Sequence, residues 1–253
     1  MSRLLKALPL ALALAILSIS AASCGSNTPA QVRFVHAIQD GAAMDVYISG
    51  PNVPSTQEFT DVSFLGVQPN QPGYTSIPSG GDTVEGVLTG TNTEVFSSTV
   101  SWNASQPYTA IATGFSNTAT PGSAVVLMSI PDNIPAVTTG DVEFRVIHAS
   151  PSGPSAVDVY IELNPTSHPG LPITIQSLAY QQASNYVSFT YNPNNTTPPP
   201  GFTVYVTASG SQIPIISEVI DPGMVGAVRT LVLTDSQNGT AMSPSFLELS
   251  DLN

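Results

Sequence analysis

The chain has 253 residues, 17 of them acidic and five Lys or Arg, for a formal charge of −12, and charged residues are only 9% of the whole. A nucleic-acid surface needs clustered cations, a disulfide framework needs two cysteines, and a helical bundle tolerates few prolines. With five cations, one Cys and 23 Pro, the chain fits none of these classes.

The first element is a leader. Arg3 and Lys6 precede an apolar run from Leu8 to Leu17, and small residues follow as far as Cys24. A basic start, a short apolar stretch and a small-residue end read as a secretory signal peptide over residues 1–23. The run is too short for a stable membrane span. Beyond it the chain holds three Arg and no Lys against all 17 acidic residues, a formal charge of −14. Ala21-Ala22-Ser23-Cys24-Gly25 resembles the lipobox of bacterial lipoproteins, in which the Cys thiol takes a diacylglyceryl group and becomes the new N-terminus. That resemblance implies a membrane anchor on Cys24, with residues 24–30 as the lipidated tether. The alternative is ordinary cleavage after Ala22, which leaves a soluble secreted or periplasmic protein.

Next comes a module written twice. Val32-Arg33-Phe34-Val35-His36-Ala37 and Met44-Asp45-Val46-Tyr47-Ile48 return as Phe144-Arg145-Val146-Ile147-His148-Ala149 and Val157-Asp158-Val159-Tyr160-Ile161. The Arg and His recur at a spacing of 112 and the Asp and Tyr at 113, so the second copy has one extra loop residue after His148. The repeats are assigned to 31–131 and 142–253, joined by a Pro- and Gly-punctuated linker at 132–141. The apolar residues alternate with period two, with Val32, Phe34 and His36 forming the apolar face of the first strand. Further strands are expected at Val62–Val67, Tyr74–Ile77, Thr83–Leu88, Glu94–Val100, Tyr108–Thr113 and Ala124–Ile130. In the second copy they are expected at Ile173–Tyr180, Tyr186–Tyr191, Phe202–Ala208, Ile213–Ile220, Val228–Thr234 and Ser245–Leu249. Asn192–Gly201, with Pro198-Pro199-Pro200, reads as a long hairpin loop. Short strands separated by Asn-, Pro-, Gly- and Ser-rich turns indicate an all-β chain of two tandem β-sandwiches.

Arg-x-x-His-Ala followed by an apolar-Asp-Val-Tyr strand resembles the domain-of-unknown-function family 4397 of exported bacterial proteins. Its hallmark is a His-Ala-Ser-Pro turn before a Val-Asp-Val-Tyr strand. The second copy has His148-Ala149-Ser150-Pro151 intact, while the first departs from it with His36-Ala37-Ile38-Gln39. The resemblance implies immunoglobulin-like or transthyretin-like sandwiches, often in tandem and on lipoproteins. It implies no reaction.

His36 with Asp45, and His148 with Asp158, are the residues best suited to chemistry, since a His-Asp pair can orient a nucleophile. No Gly-x-Ser-x-Gly elbow supplies one. The favoured reading is structural: each His ties down the turn after it, and each Asp caps neighbouring backbone amides. Tyr47 and Tyr160 are expected to pack rather than to present a glycan-binding face. No His-Glu-x-x-His, Cys pair or calcium loop is present, and His168 stands in a loop private to the second copy. Asp40, Asp132, Asp141, Asp221 and Asp235 lie near turns that folding could gather around calcium. The sequence points to no cofactor and no metal.

The expectation is a non-enzymatic lipoprotein of the bacterial cell envelope, at the outer membrane or cell surface. It would act as an interaction or structural module with a protein or glycan partner. A carbohydrate-binding or adhesion module and an envelope hydrolase are the alternatives. An open cleft holding His36 or His148 beside a Ser or Asp would favour the hydrolase.

Overall fold

The computed structural model describes residues 28–50, 53–116, 124–163, 170–192, 194, 201–236 and 244–252. The leader, Cys24, His168 and Pro198-Pro199-Pro200 lie outside the described residues, and the signal-peptide, lipidation and hairpin-loop expectations lie there with them.

The described residues form strands and turns with no helix, so the chain is all-β. The first repeat opens with β1 (Ala30–Ile38), β2 (Met44–Gly50), β3 (Val53–Val62), β4 (Val67–Gln68) and β5 (Thr75–Ile77). It continues with β6 (Gly80–Leu88), β7 (Glu94–Trp102), β8 (Pro107–Gly114) and β9 (Val126–Pro131). One sheet runs β4-β1-β8-β9 with β5 also on β1, and the other runs β3-β2-β6-β7. The second repeat has β10 (Asp141–His148), β11 (Ala156–Leu163), β12 (Ile175–Ala179), β13 (Val187–Thr190), β14 (Phe202–Ala208), β15 (Pro214–Ile220), β16 (Val228–Thr234) and β17 (Ser245–Leu252). Its sheets run β13-β10-β16-β17 and β12-β11-β14-β15. In both repeats the opening strand pairs parallel to the penultimate one, β1 with β8 and β10 with β16, while its other partners are antiparallel. The duplication seen in the sequence is therefore a duplication of topology, two immunoglobulin-like sandwiches.

Each sandwich closes over its own apolar layer, as alternating strands require. In the first, Phe34, Val46, Phe59, Val84 and Trp102 are buried together, with the Phe34 and Phe59 rings stacked at 5.7 Å. In the second, Phe144, Val159, Phe202, Val204 and Leu231 do the same, and Phe144 meets Phe202 edge-on at 5.1 Å. Each such side chain stabilises by about 1.5–3 kcal/mol through burial. Gly86 is required here, because a Cβ at that position would overlap the Phe96 ring.

Two expectations need correction. Val62–Val67 is no strand: it is the crossing from β3 in one sheet to β4 in the other, and Leu65 turns it with a φ of 60°. The true strand β3 lies just before it. It is an edge strand with a largely exposed, polar sequence, and bulges interrupt its pairing with β2, so no clean alternation marked it. The first repeat also begins one residue earlier than expected, since Ala30 is fully buried and already pairs with Ile77 in β1. β1 itself is covered on both faces. Val32 and Phe34 point into the sandwich, while Val35 and Ala37 pack with Ile111, Met128, Ile147, Ala149, Val232 and Leu249 in a layer shared by both repeats.

Candidate functional site

The period-two geometry that sends Phe34 inward sends Arg33 and Val35 outward, toward the second repeat. β10 does likewise with Arg145 and Ile147. Both arginines are sealed from water, at 0% and 2% exposure.

Arg33 donates from Nε to Thr109 Oγ1 at 2.8 Å, in its own repeat, and from Nη1 to the Ser250 carbonyl at 3.1 Å, in the other. Its Nη2 binds the Asp251 carboxylate, also in the other repeat, and stands 3.5 Å from Asp132. Arg145 repeats the three hydrogen bonds with the roles exchanged. It donates from Nε to Thr230 at 2.7 Å, from Nη1 to the Pro131 carbonyl at 3.2 Å, and from Nη2 to Asp132. Thr109 in turn donates a hydrogen bond to Asp132 at 2.7 Å, and Thr230 to Asp251 at 2.6 Å. Tyr74 donates to Asp132 at 2.8 Å and Tyr186 to Asp251 at 2.9 Å. Each ring also lies against its own repeat's guanidinium, 5.2 Å and 4.9 Å from the ring centroids. The contact is isologous, as between two subunits of a symmetric dimer, but within one chain.

Two guanidinium and two carboxylate groups cancel, and each is hydrogen-bonded, which is what burial of charge demands. Burial works against the Arg33 charge, but Asp251 and Asp132 outweigh it and hold the guanidinium above its ordinary pKa. Burial and the facing Asp132 push the Tyr74 phenol up. Burial does the same to Tyr186, with Arg145 opposing.

The histidines sit deeper along the same strands, fully buried. His36 Nε2 meets the Ala42 carbonyl at 3.1 Å, and Nδ1 accepts the Ile38 amide at 3.2 Å. His148 Nε2 meets the Pro154 carbonyl at 2.8 Å, and Nδ1 accepts the Ser150 amide at 3.4 Å. Both rings are spent on the turn that follows them, and the bonding assigns the neutral Nε2–H tautomer. Burial lowers both pKa values, in spite of the carbonyls.

The aspartates stand elsewhere. Asp45 accepts the Asp61 amide at 2.8 Å and the Thr89 hydroxyl at 3.1 Å. Asp158 accepts the amides of Ser177 at 2.7 Å and Gly210 at 2.8 Å. Burial raises the Asp158 pKa, but those amides and the Ser209 hydroxyl outweigh it and set the group below its ordinary value. Neither Asp touches its histidine. Tyr160 is buried and Tyr47 half-buried. No group of three or more His, Cys, Asp and Glu among the described residues is placed to hold a metal ion. Asp132, placed above in the linker and among the aspartates that folding could gather around calcium, belongs to the charge cluster.

Sequence reasoning therefore found Arg33 and Arg145 but missed what they bind. The signal was available: Ile130-Pro131-Asp132 ends the first repeat as Leu249-Ser250-Asp251 ends the second. The pairing is hidden because each Arg skips its own copy's last strand for the other's.

The family profile described as Domain of unknown function (DUF4397) matches residues 30–160. No curated protein matches the chain. Among solved structures, the family CBM26 module CBMbc of Eubacterium rectale Amy13K, in complex with maltoheptaose, is similar at 10% identity and a TM-score of 0.26, covering 86% of this chain and 96% of that one. A candidate cell adhesion protein from Parabacteroides distasonis gives 9% identity, a TM-score of 0.23 and coverage of 88% and 98%. A candidate adhesin from Bacteroides ovatus gives 10% identity, a TM-score of 0.22 and coverage of 87% and 95%. Likenesses this distant say nothing of what this chain binds.

Proposed function

We propose that this chain, which belongs to the family described as Domain of unknown function (DUF4397), is a non-catalytic module of the bacterial cell envelope. Lipidated at Cys24, it holds a two-sandwich body at a membrane for a protein or glycan partner. The reciprocal Arg–Asp seam carries this reading. It makes the two repeats one body, a geometry suited to presenting a surface at a fixed distance and orientation. The Arg, His and Asp residues that recur in both copies are all engaged within the fold. The hydrolase alternative asks for His36 or His148 in an open cleft, and both rings are instead buried against their own turns. The leader and lipobox supply the address, and two or more acyl chains anchor stably where one does not.

The test is to express the full chain in a bacterium that processes lipoproteins, then analyse its N-terminal peptide by mass spectrometry and fractionate the cells. Acylated Cys24 and a membrane-bound chain are expected, with Cys24→Ser releasing the protein. An unmodified chain beginning at Ser23 contradicts the anchor. Hydrolytic turnover lost in His148→Gln contradicts the non-catalytic role.

A further inference from the structure

The seam is symmetric in its charges but not at its two rims. Val35 pairs with Val67, and Val32 with Thr75, eight positions further along the chain. At the matching places in the second repeat, Ile147 pairs with Ala183, and Phe144 with Val187, only four positions on. The first repeat spends its longer excursion on Pro69-Asn70-Gln71-Pro72-Gly73, which reaches over the seam to the edge strand β17. There the Gln71 carboxamide donates to the Glu248 carbonyl at 3.3 Å and accepts the Ser250 amide.

The opposite rim has no such loop. Register places Ser129 where Glu248 stands and Pro131 where Ser250 stands, since Thr109 pairs with Ile130 as Thr230 does with Leu249. Here lies a cleft of about 540 Å³, with Ser129, Ile130 and Pro131 on one wall and Gln182, Ala183 and Asn185 on the other. Arg145 is the one charged residue lining it, and that side chain is buried against Asp132. The cleft is therefore effectively uncharged. It is no site for an added β-strand, because Pro131 has no amide hydrogen to offer a ladder.

We propose that this cleft docks a neutral, proline-flanked turn of a partner polypeptide carrying a side-chain carboxamide. Such a turn would take the place that Asn70-Gln71-Pro72 fills at the other rim. The chain thus carries in one seam an internal template for the ligand of the other. An incoming carboxamide meets the backbone of Ser129, and the carboxamides of Gln182 and Asn185 replace the hydrogen-bonding partner that Pro131 lacks. The proposal rests on the interaction-module reading and names its partner's chemistry. Membrane attachment through Cys24 does not depend on it, so the two fail separately.

The test uses the mature chain and a capped synthetic peptide of the sequence Val67–Thr75, titrated by calorimetry and by amide NMR. Expected is saturable binding with a Kd below about 1 mM, with shifts at Ser129, Gln182 and Asn185. A peptide carrying Gln71→Ala should bind at least about tenfold more weakly, a loss on the scale of a hydrogen bond or two. Asn185→Trp, which fills the cleft from an exposed position, should abolish binding with the melting temperature unchanged. No saturation overturns the proposal, as does binding that survives Asn185→Trp. A neutral oligosaccharide shifting the same residues where the peptide does not also overturns it.

Discussion

Arg33 is bound to Asp251, a residue 218 positions away and in the other repeat. Arg145 answers by binding Asp132 in the first. Neither repeat contains the carboxylate that its own Arg Nη2 hydrogen-bonds most closely. This exchange explains why a chain with so few cations spends two of them where no solvent reaches.

Removing one member leaves a partner buried and uncompensated. Arg33→Met is expected to destabilise the chain by about 3–5 kcal/mol, measured by urea unfolding. Arg33→Met combined with Asp251→Leu should cost less than the two single changes added together, because the pair leaves as a unit. Simple additivity of the two changes contradicts the coupling.

Acid should weaken the fold through its two buried histidines. The folded pKa values of His36 and His148 lie below the ordinary 6.5, so near and below pH 6.5 the unfolded chain binds protons that the folded chain does not. Stability is full above pH ~6.5 and falls as the pH drops toward the folded values, by up to about 1.4 kcal/mol per pH unit per histidine. Melting temperatures between pH 7.5 and pH 5 read this slope, and the pair His36→Gln and His148→Gln should flatten it. Asp158, whose folded pKa is also depressed, adds its own loss at lower pH, below about 4.

Alkali acts with the opposite sign. Tyr74 and Tyr186 have folded pKa values above the ordinary 10. Their neutral forms contribute stability below pH 10 that is lost above it, again at up to about 1.4 kcal/mol per pH unit each. Ultraviolet titration should show that at least these two of the eight tyrosines stay protonated until the chain unfolds. Tyr74→Phe should lessen the alkaline loss.

Gly86→Ala is expected to cost about 1–3 kcal/mol, because the new methyl must displace the Phe96 ring. Gly81→Ala, five residues earlier in the same strand, meets nothing within 4 Å. It should leave the midpoint of thermal unfolding nearly unchanged.

Much of this architecture was legible. Phe202–Ala208 and Val228–Thr234 are strands with the expected bounds, because central strands buried on one or both faces carry dense apolar patterns. β3 escaped because an exposed edge strand need satisfy no pattern. The seam escaped for a different reason. Period two shows that Arg33, Val35 and Ala37 share a face, but not whether that face meets water or protein. Two apolar residues beside an arginine were compatible with either. Only the fold brings Asp132 and Asp251, each at the end of a last strand, to the arginine of the opposite repeat.

Charge in one repeat sets the stability of the other. The chain has one tryptophan, Trp102, buried in the first sandwich at 2% exposure, so its fluorescence follows the first repeat alone. The decisive measurement is urea unfolding read at Trp102 in a chain altered only at Asp251→Ala, in the second repeat. The Trp102 midpoint is expected to fall along with that of the second repeat. A Trp102 transition that stays at its wild-type midpoint would contradict it.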